Sequence, residues 1–183
     1  MEEKLLSEQK QSDYSFWFIV VLVVFLIFYT LNTSLMVVMI DGDSMNNTFY
    51  NRDVVIVTRT NQIERGDVIV FDESTHGKLI KRVIAVEGDE LKAYQSKVFI
   101  KYAGTEEFIE LNEDYIKDQC STPTLPQGKI KPGELFVLGD NRGNSEDSRS
   151  FGCISVSCVN GVVSDYAIKN KDFTTKIFSW LFA

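Results

Sequence analysis

"KLIKRVIAVEG", residues 78–88, is a short run rich in β-branched residues and closed by a glycine. A run of this kind reads as a β-strand. Strand alternation puts Leu79, Lys81, Val83 and Ala85 on one face, and Ile80, Arg82 and Ile84 on the other. Similar runs lie on both sides of it: "LMVVMI" (35–40), "DVVIVTR" (53–59), "DVIVF" (67–71), "LKAYQSKVFIKY" (91–102) and "ELFVLGD" (134–140). "NGVVSDYAI" (160–168) reads as a last strand. Gly, Asn, Asp and Pro turns separate the runs, and helical periodicity is scarce among them. Residues 34–183 therefore read as one mainly β domain, a barrel-like or sandwich sheet. "KIFSWLFA" (176–183) is apolar but too short to cross a membrane, and is expected to pack on the domain or touch a membrane surface.

Upstream the pattern changes. No charged residue lies between Asp13 and Asp41, and the densest apolar part is "FWFIVVLVVFLIFYT" (16–30). With its flanks it gives about 20 residues, the length that crosses a hydrocarbon core of ~30 Å. Trp17 and Tyr29 stand near its ends, as interfacial aromatics do. The organisation expected is a tail (1–13), a transmembrane helix (14–33) and the β domain. A removable signal peptide fits less well. The preceding tail has three Glu and one Asp against two Lys, and the apolar run exceeds a usual signal-peptide core. Lys4 and Lys10 on one side balance Arg52 and Arg59 on the other, so the charges give no orientation.

The chain of 183 residues carries a net charge of −7, which argues against a nucleic-acid partner. Metal is also disfavoured, and no cofactor is expected. "DGDSMNNTFYNR" (41–52) loosely suggests a calcium loop, but Met45, Asn46 and Arg52 stand where a ligand, a glycine and a bidentate Glu are required. Cys120, Cys153 and Cys158 lack paired spacing. A Cys153–Cys158 bridge is an alternative to the buried free thiols expected.

The single histidine, His76, lies in a "STHGK" hairpin turn and reads as an exposed loop residue. Both a Ser-His-Asp triad and a cysteine nucleophile would need it. A serine with a lysine base would not. A lysine acts as a base near neutral pH only if burial lowers its pKa by ~2–3 units. Lys81, flanked by Leu79 and Val83, fits that demand, while snorkelling from an edge strand to water is the plainer reading.

"GDSMNNTFYNRDVVIV", "IERGDVIVF", "LIKRVIAVEGD" and "VLGDNRGNSEDSRSFG" resemble, in order and spacing, the successive sequence boxes of type I signal peptidases. The segment between the last two boxes, about 90–133, is short, as in the compact Gram-positive form. The resemblance implies a signal-peptidase-like β domain behind one N-terminal transmembrane helix, a cytoplasmic N-terminus and an extracytoplasmic catalytic domain. It implies a membrane-bound serine endopeptidase acting on the signal peptides of secretory preproteins, at the lipid bilayer and within reach of the secretion machinery. Ser44 matches the nucleophile and Lys81 the general base. Ser145 matches the serine that orients the lysine, and Asp147 and Arg149 match an ion pair holding that loop. Gly42 stands where some relatives place an oxyanion-hole serine. Ile40, Met45, Phe49 and Ile80 are expected to line the pocket for the small residue before the cut.

The chain departs from the family at Asn47 and Phe49, where proline and leucine are usual. Losing proline frees φ and is expected to loosen the loop after the nucleophile. Phe49 is expected to narrow the pocket, giving a substrate range unlike a housekeeping enzyme's. A family member that lost turnover and acts as a binding or assembly factor is the alternative. A self-cleaving repressor is disfavoured, because the N-terminus holds an apolar span and no DNA-binding domain. Only about ten residues separate the span from Ser44. At ~3.3 Å per extended residue, that keeps the nucleophile close to the bilayer.

Overall fold

The computed structural model describes residues 2–95, 97–116, 125 and 128–182, so Cys120 lies outside the described residues. The chain divides into two compact units, Met1–Leu35 and Met36–Ala183. The first is essentially helix α1 (Glu2–Ser34). Its segment Phe16–Ser34 has 19 residues and a mean hydropathy of 2.3, long and apolar enough to cross a membrane. The charged stretch before it is helical too. Glu, Lys, Gln and Leu there are all good helix formers.

Among the described residues, ten strands form two sheets, all within the second unit but for the first residue of β1. One has seven strands in the order β1 (Leu35–Met39), β2 (Val54–Thr58), β10 (Val159–Val163), β3 (Val68–Glu73), β4 (Gly77–Ala85), β8 (Glu134–Leu138) and β9 (Ile154–Ser155). The other has three, β5 (Glu90–Tyr94), β6 (Lys97–Lys101) and β7 (Ile109–Glu110). The pairings β2–β10, β10–β3, β3–β4 and β4–β8 are antiparallel, as are those within the small sheet. The run 91–102 is thus two strands and not one, with Gln95 turning between them at φ 47°.

The last predicted strand is shorter than expected. Only Val159–Val163 pairs, inserted between β2 and β3. Ser164 then accepts a hydrogen bond from the Ala167 N–H and caps α3 (Asp165–Lys169). A second helix, α4 (Lys171–Phe178), and a 3-10 turn over Ser179–Phe182 follow. "SDYA" is therefore a helix start, with serine at the cap and aspartate in the first turn.

Strands β3 and β4 are covered on both faces. Val68, Val70 and Ile80 join Ile40, Val55, Val57 and Val163 in one cluster. Ile69, Phe71 and Val83 join Leu135, Val137 and Ile154 in another. A third cluster, with Ile84, Leu91, Ile100 and Phe136, seats the small sheet. Each fully buried side chain of this kind contributes about 1.5–3 kcal/mol. Lys81 faces Ile69 across the β3–β4 ladder, inside this double layer. It sits on a central strand, which removes the snorkelling alternative.

Gly161 allows β10 to enter. A Cβ there would lie 2.3 Å from the Thr58 carbonyl oxygen. The obstacle is backbone and cannot swing away, so Gly161→Ala should cost about 1–3 kcal/mol through overpacking. Thermal unfolding checks this: a clear fall in melting temperature is expected, and an unchanged value would contradict the close approach.

Candidate active site

The nucleophile turn is built from the chain between β1 and β2. Ile40 closes it by donating from N–H to Asp53 O (2.8 Å) and accepting from Arg52 N–H (2.8 Å). Inside, Phe49 N–H reaches Met45 O at 2.8 Å and Asn46 N–H reaches Asp43 O at 3.1 Å. Met45 and Phe49 are fully buried in the core beneath the turn. They pull the loop onto the domain and leave Ser44 at its surface, half-buried. Ile40 and Ile80 do line the cleft at Ser44, but Met45 and Phe49 do not. That cleft is about 120 Å³ and is lined by residues 38–41 and 78–81 together with Ser44 and Val70.

Asn47 has φ 89°. Proline, locked near −65°, cannot adopt that conformation, whereas asparagine tolerates it better than most residues. The position is thus not a loosened proline site, because its backbone demands a residue able to turn left-handed. Gly42 has φ 90°, and its N–H points to Asn51 Oδ1 at 3.2 Å.

Lys81 comes from β4 and is 2% exposed. Its Nζ lies 2.8 Å from Ser44 Oγ and 2.9 Å from the Ile80 carbonyl. Burial lowers its pKa to about 8, against the opposing pull of the Asp147 and Asp140 carboxylates. At neutral pH a usable fraction of the amine is then uncharged, in contact with the hydroxyl it would deprotonate.

Residues 139–149 close over this pair. Asn141 donates from its backbone N–H to Ser44 O and from its side chain to Asp43 O, both at 3.0 Å. A Cβ on Gly139 would fall 2.2 Å from Ser145 Oγ and 2.5 Å from Ser44 O, so only glycine lets the two loops touch. Arg149 binds Asp147 through two bonds of 2.7 Å, and also donates to the carbonyls of Arg142 (2.7 Å) and Ser145 (3.3 Å). Asp147 takes the Gly139 N–H at 2.9 Å. Burial alone would raise its carboxyl, but the bonds from Arg149 and Gly139 outweigh this and hold it below the usual range. Ser145 Oγ is buried and makes no hydrogen bond of full geometry among the described residues, but it lies near enough to the Asp147 carboxylate to help hold that group charged. The second bond of Lys81 goes to Ile80 O and not to Ser145.

One group escapes sequence reasoning. Arg82, next to Lys81 on β4, binds Asp140 through Nε (2.9 Å) and a terminal nitrogen (2.7 Å), and donates to Gly66 O at 2.8 Å. Thr48, in the nucleophile turn, donates its hydroxyl to the same carboxylate. The guanidinium also stacks over Tyr115, 4.1 Å from the ring centre. Asp140 therefore clamps the nucleophile turn to the strand of the base. A buried arginine on a central strand demands a carboxylate, but that burial depends on strand pairing, which residue order does not show.

His76 sits between Glu73 (2.8 Å) and Glu146 (2.5 Å), so it ties its hairpin to the loop carrying Ser145. Cys153 and Cys158 are free thiols, Cys158 exposed and Cys153 only partly buried, which corrects the expectation of buried thiols.

A serine bonded to a buried lysine of lowered pKa, lining a cleft in a mainly β domain, is the arrangement of a serine–lysine hydrolase. The family described as "Signal peptidase, peptidase S26" matches residues 13–166. The chain is 30% identical over 164 residues to signal peptidase IB of Staphylococcus aureus, covering 81% of this chain and 86% of that one. It is 32% identical over 167 residues to signal peptidase I V of Bacillus subtilis, covering 82% and 96%. A solved signal peptidase I from Enterococcus faecalis aligns with 24% identity and a TM-score of 0.39, covering 56% of this chain and 97% of that one. The chain belongs to the signal peptidase family, peptidase S26, and is a serine endopeptidase of that family.

Two predictions follow from the loop contacts. Asn47→Pro should lower both stability and activity, while Asn47→Gly stays within about 1 kcal/mol of the parent. Thermal unfolding of the pair decides it, and an undamaged proline variant would overturn the left-handed assignment. Asp140→Asn leaves Arg82 buried without its ion pair and should destabilise by about 3–5 kcal/mol. A melting temperature equal to that of the parent would show that the clamp is not needed.

Proposed function

We propose that this protein is a membrane-anchored endopeptidase that removes N-terminal signal peptides from exported preproteins, with Ser44 as nucleophile and Lys81 as general base. The observation that carries this reading is the 2.8 Å contact between Ser44 Oγ and the Nζ of a buried lysine.

The chemistry follows from that contact. Neutral Lys81 takes the Ser44 proton as Oγ bonds to the scissile carbonyl carbon. The negative charge moves to the carbonyl oxygen. In this reading the Ser44 backbone N–H, for which no hydrogen bond is found among the described residues, receives it. Lys81, now an ammonium, gives its proton to the leaving amine as the C–N bond breaks. Water, deprotonated by Lys81 in turn, then hydrolyses the ester and restores Ser44. Ser145 supplies a hydroxyl beside the nucleophile's main chain, able to turn towards the amine without adding charge. Asp147 and Arg149 hold its loop. The cleft admits an extended peptide whose small side chain enters between Ile40 and Ile80.

In this reading α1 crosses the bilayer with the N-terminus in the cytoplasm and the catalytic unit outside, beside the secretion machinery that delivers its substrates. Both side chains needed for turnover are present, which favours the enzyme over a binding factor.

Cleavage of a preprotein in detergent tests the proposal. Ser44→Ala and Lys81→Ala should each lose activity by several orders of magnitude. In the parent, kcat/KM should rise with pH through about 8, because the base is the uncharged form. Full activity in Lys81→Ala would sink the dyad.

A further inference from the structure

Helix α4 docks on the sheet through a defined face. Thr174 donates to Val54 O (2.6 Å), Thr175 Oγ1 accepts the Val54 N–H (2.7 Å), and Lys171 donates to Thr48 O (2.7 Å). With that face fixed inwards, Phe173, Ile177 and Trp180 point away from the domain at i, i+4 and i+7. They are 62%, 40% and 69% exposed. Tyr166 from α3 and Leu181 and Phe182 from the 3-10 turn extend the patch, at 71%, 48% and 43%. This reverses the usual order, in which a surface helix turns its apolar stripe to the core and its polar face to water. Among the described residues of the unit, nothing covers the stripe.

The composition says which cover. Aromatic residues dominate, and exposed Lys169 and Lys176 flank them, with Asp165 and Asp172 as the neighbouring acids. Trp, Tyr and Phe beside lysines that can extend to phosphates are the residues of the membrane–water boundary. They stand out in a chain of net charge −7. A bilayer is also within covalent reach, because the apolar span ends at Ser34 and β1 begins at Leu35.

We propose that the Tyr166–Phe182 segment is a second lipid contact of this protein, lying in the bilayer interface by its apolar stripe. This rests on α1 being the membrane anchor, as in the proposed function. Two contacts, α1 and this segment, then restrict how the catalytic unit can turn above the membrane more than α1 alone would.

The test uses the full chain with Trp17→Phe, which leaves Trp180 as the only indole, reconstituted into phosphatidylcholine–phosphatidylglycerol vesicles. Retention in the vesicles through a carbonate wash reports α1 separately from the second contact. Trp180 emission should be blue-shifted relative to water. Lipids brominated near the headgroup end of the acyl chain should quench it strongly, and lipids brominated near the chain terminus weakly, as expected for a depth of ~5–10 Å. Phe173→Ser with Ile177→Ser should reduce the quenching while the variant stays in the vesicles. A retained protein whose Trp180 emission is water-like and unquenched overturns the proposal. Blue-shifted but unquenched emission also overturns it, and means that protein, such as a second copy of the chain, covers the stripe. Loss of retention would instead remove the anchor on which the proposal rests. None of these readouts requires peptidase activity.

Discussion

The site depends on one constraint: Lys81 must be buried, yet must reach a surface serine. Strand β4 meets both conditions. Its two faces are covered, so the amine is desolvated, and its cleft end opens beside the nucleophile turn. Moving a lysine from 10.5 to about 8 costs roughly 3 kcal/mol of folding stability at neutral pH. Between pH 8 and 10.5 the unfolded chain binds a proton that the folded chain has released. Stability from this group therefore rises with pH across that window. The fold tolerates a destabilising residue because the surrounding aliphatic clusters exceed its cost.

Burial alone does not aim the lysine. Two loops and strand β4 have to arrive together, and different physical means fasten them. Met45 and Phe49 fix the nucleophile turn by hydrophobic burial. Thr48, Asp140 and Arg82 tie that turn to β4 by charge-assisted hydrogen bonds, the strong kind in a dry site. Gly139 lets the 139–149 loop lie against Ser44 by offering no side chain. Asp147 and Arg149 then hold that loop internally. Asp147 and Asp140 also pull the Lys81 pKa upwards, so the groups that build the loop moderate the shift that burial produces.

Much of this was legible from residue order. Short β-branched runs between turn residues gave the sheet, and an uncharged stretch of more than 20 residues gave α1. Local pattern placed Lys81 on a strand with apolar neighbours, but it could not say whether that strand was central or at an edge. That depends on which strands pair, and β10 entering between β2 and β3 is a contact across about a hundred residues. The Arg82–Asp140–Thr48 clamp was hidden for the same reason. Met45 and Phe49 were expected to face substrate, because proximity in sequence to Ser44 does not tell which way a turn points. Asn47 was misread by comparison with proline, and only its φ shows that the turn has another shape. The C-terminal segment was seen as apolar, but its helical form and outward stripe required the docking of Thr174 and Thr175 on Val54.

The central claim is that the fold depresses the Lys81 pKa enough to make it a base. Its most direct test is the titration of that amine, followed by NMR on the Ser44→Ala protein with selectively labelled lysines and assigned by loss of the signal in Lys81→Met. A titration midpoint near 8 is predicted. A midpoint near the ordinary lysine value of ~10.4 would contradict the account, because an ammonium at neutral pH cannot take the serine's proton.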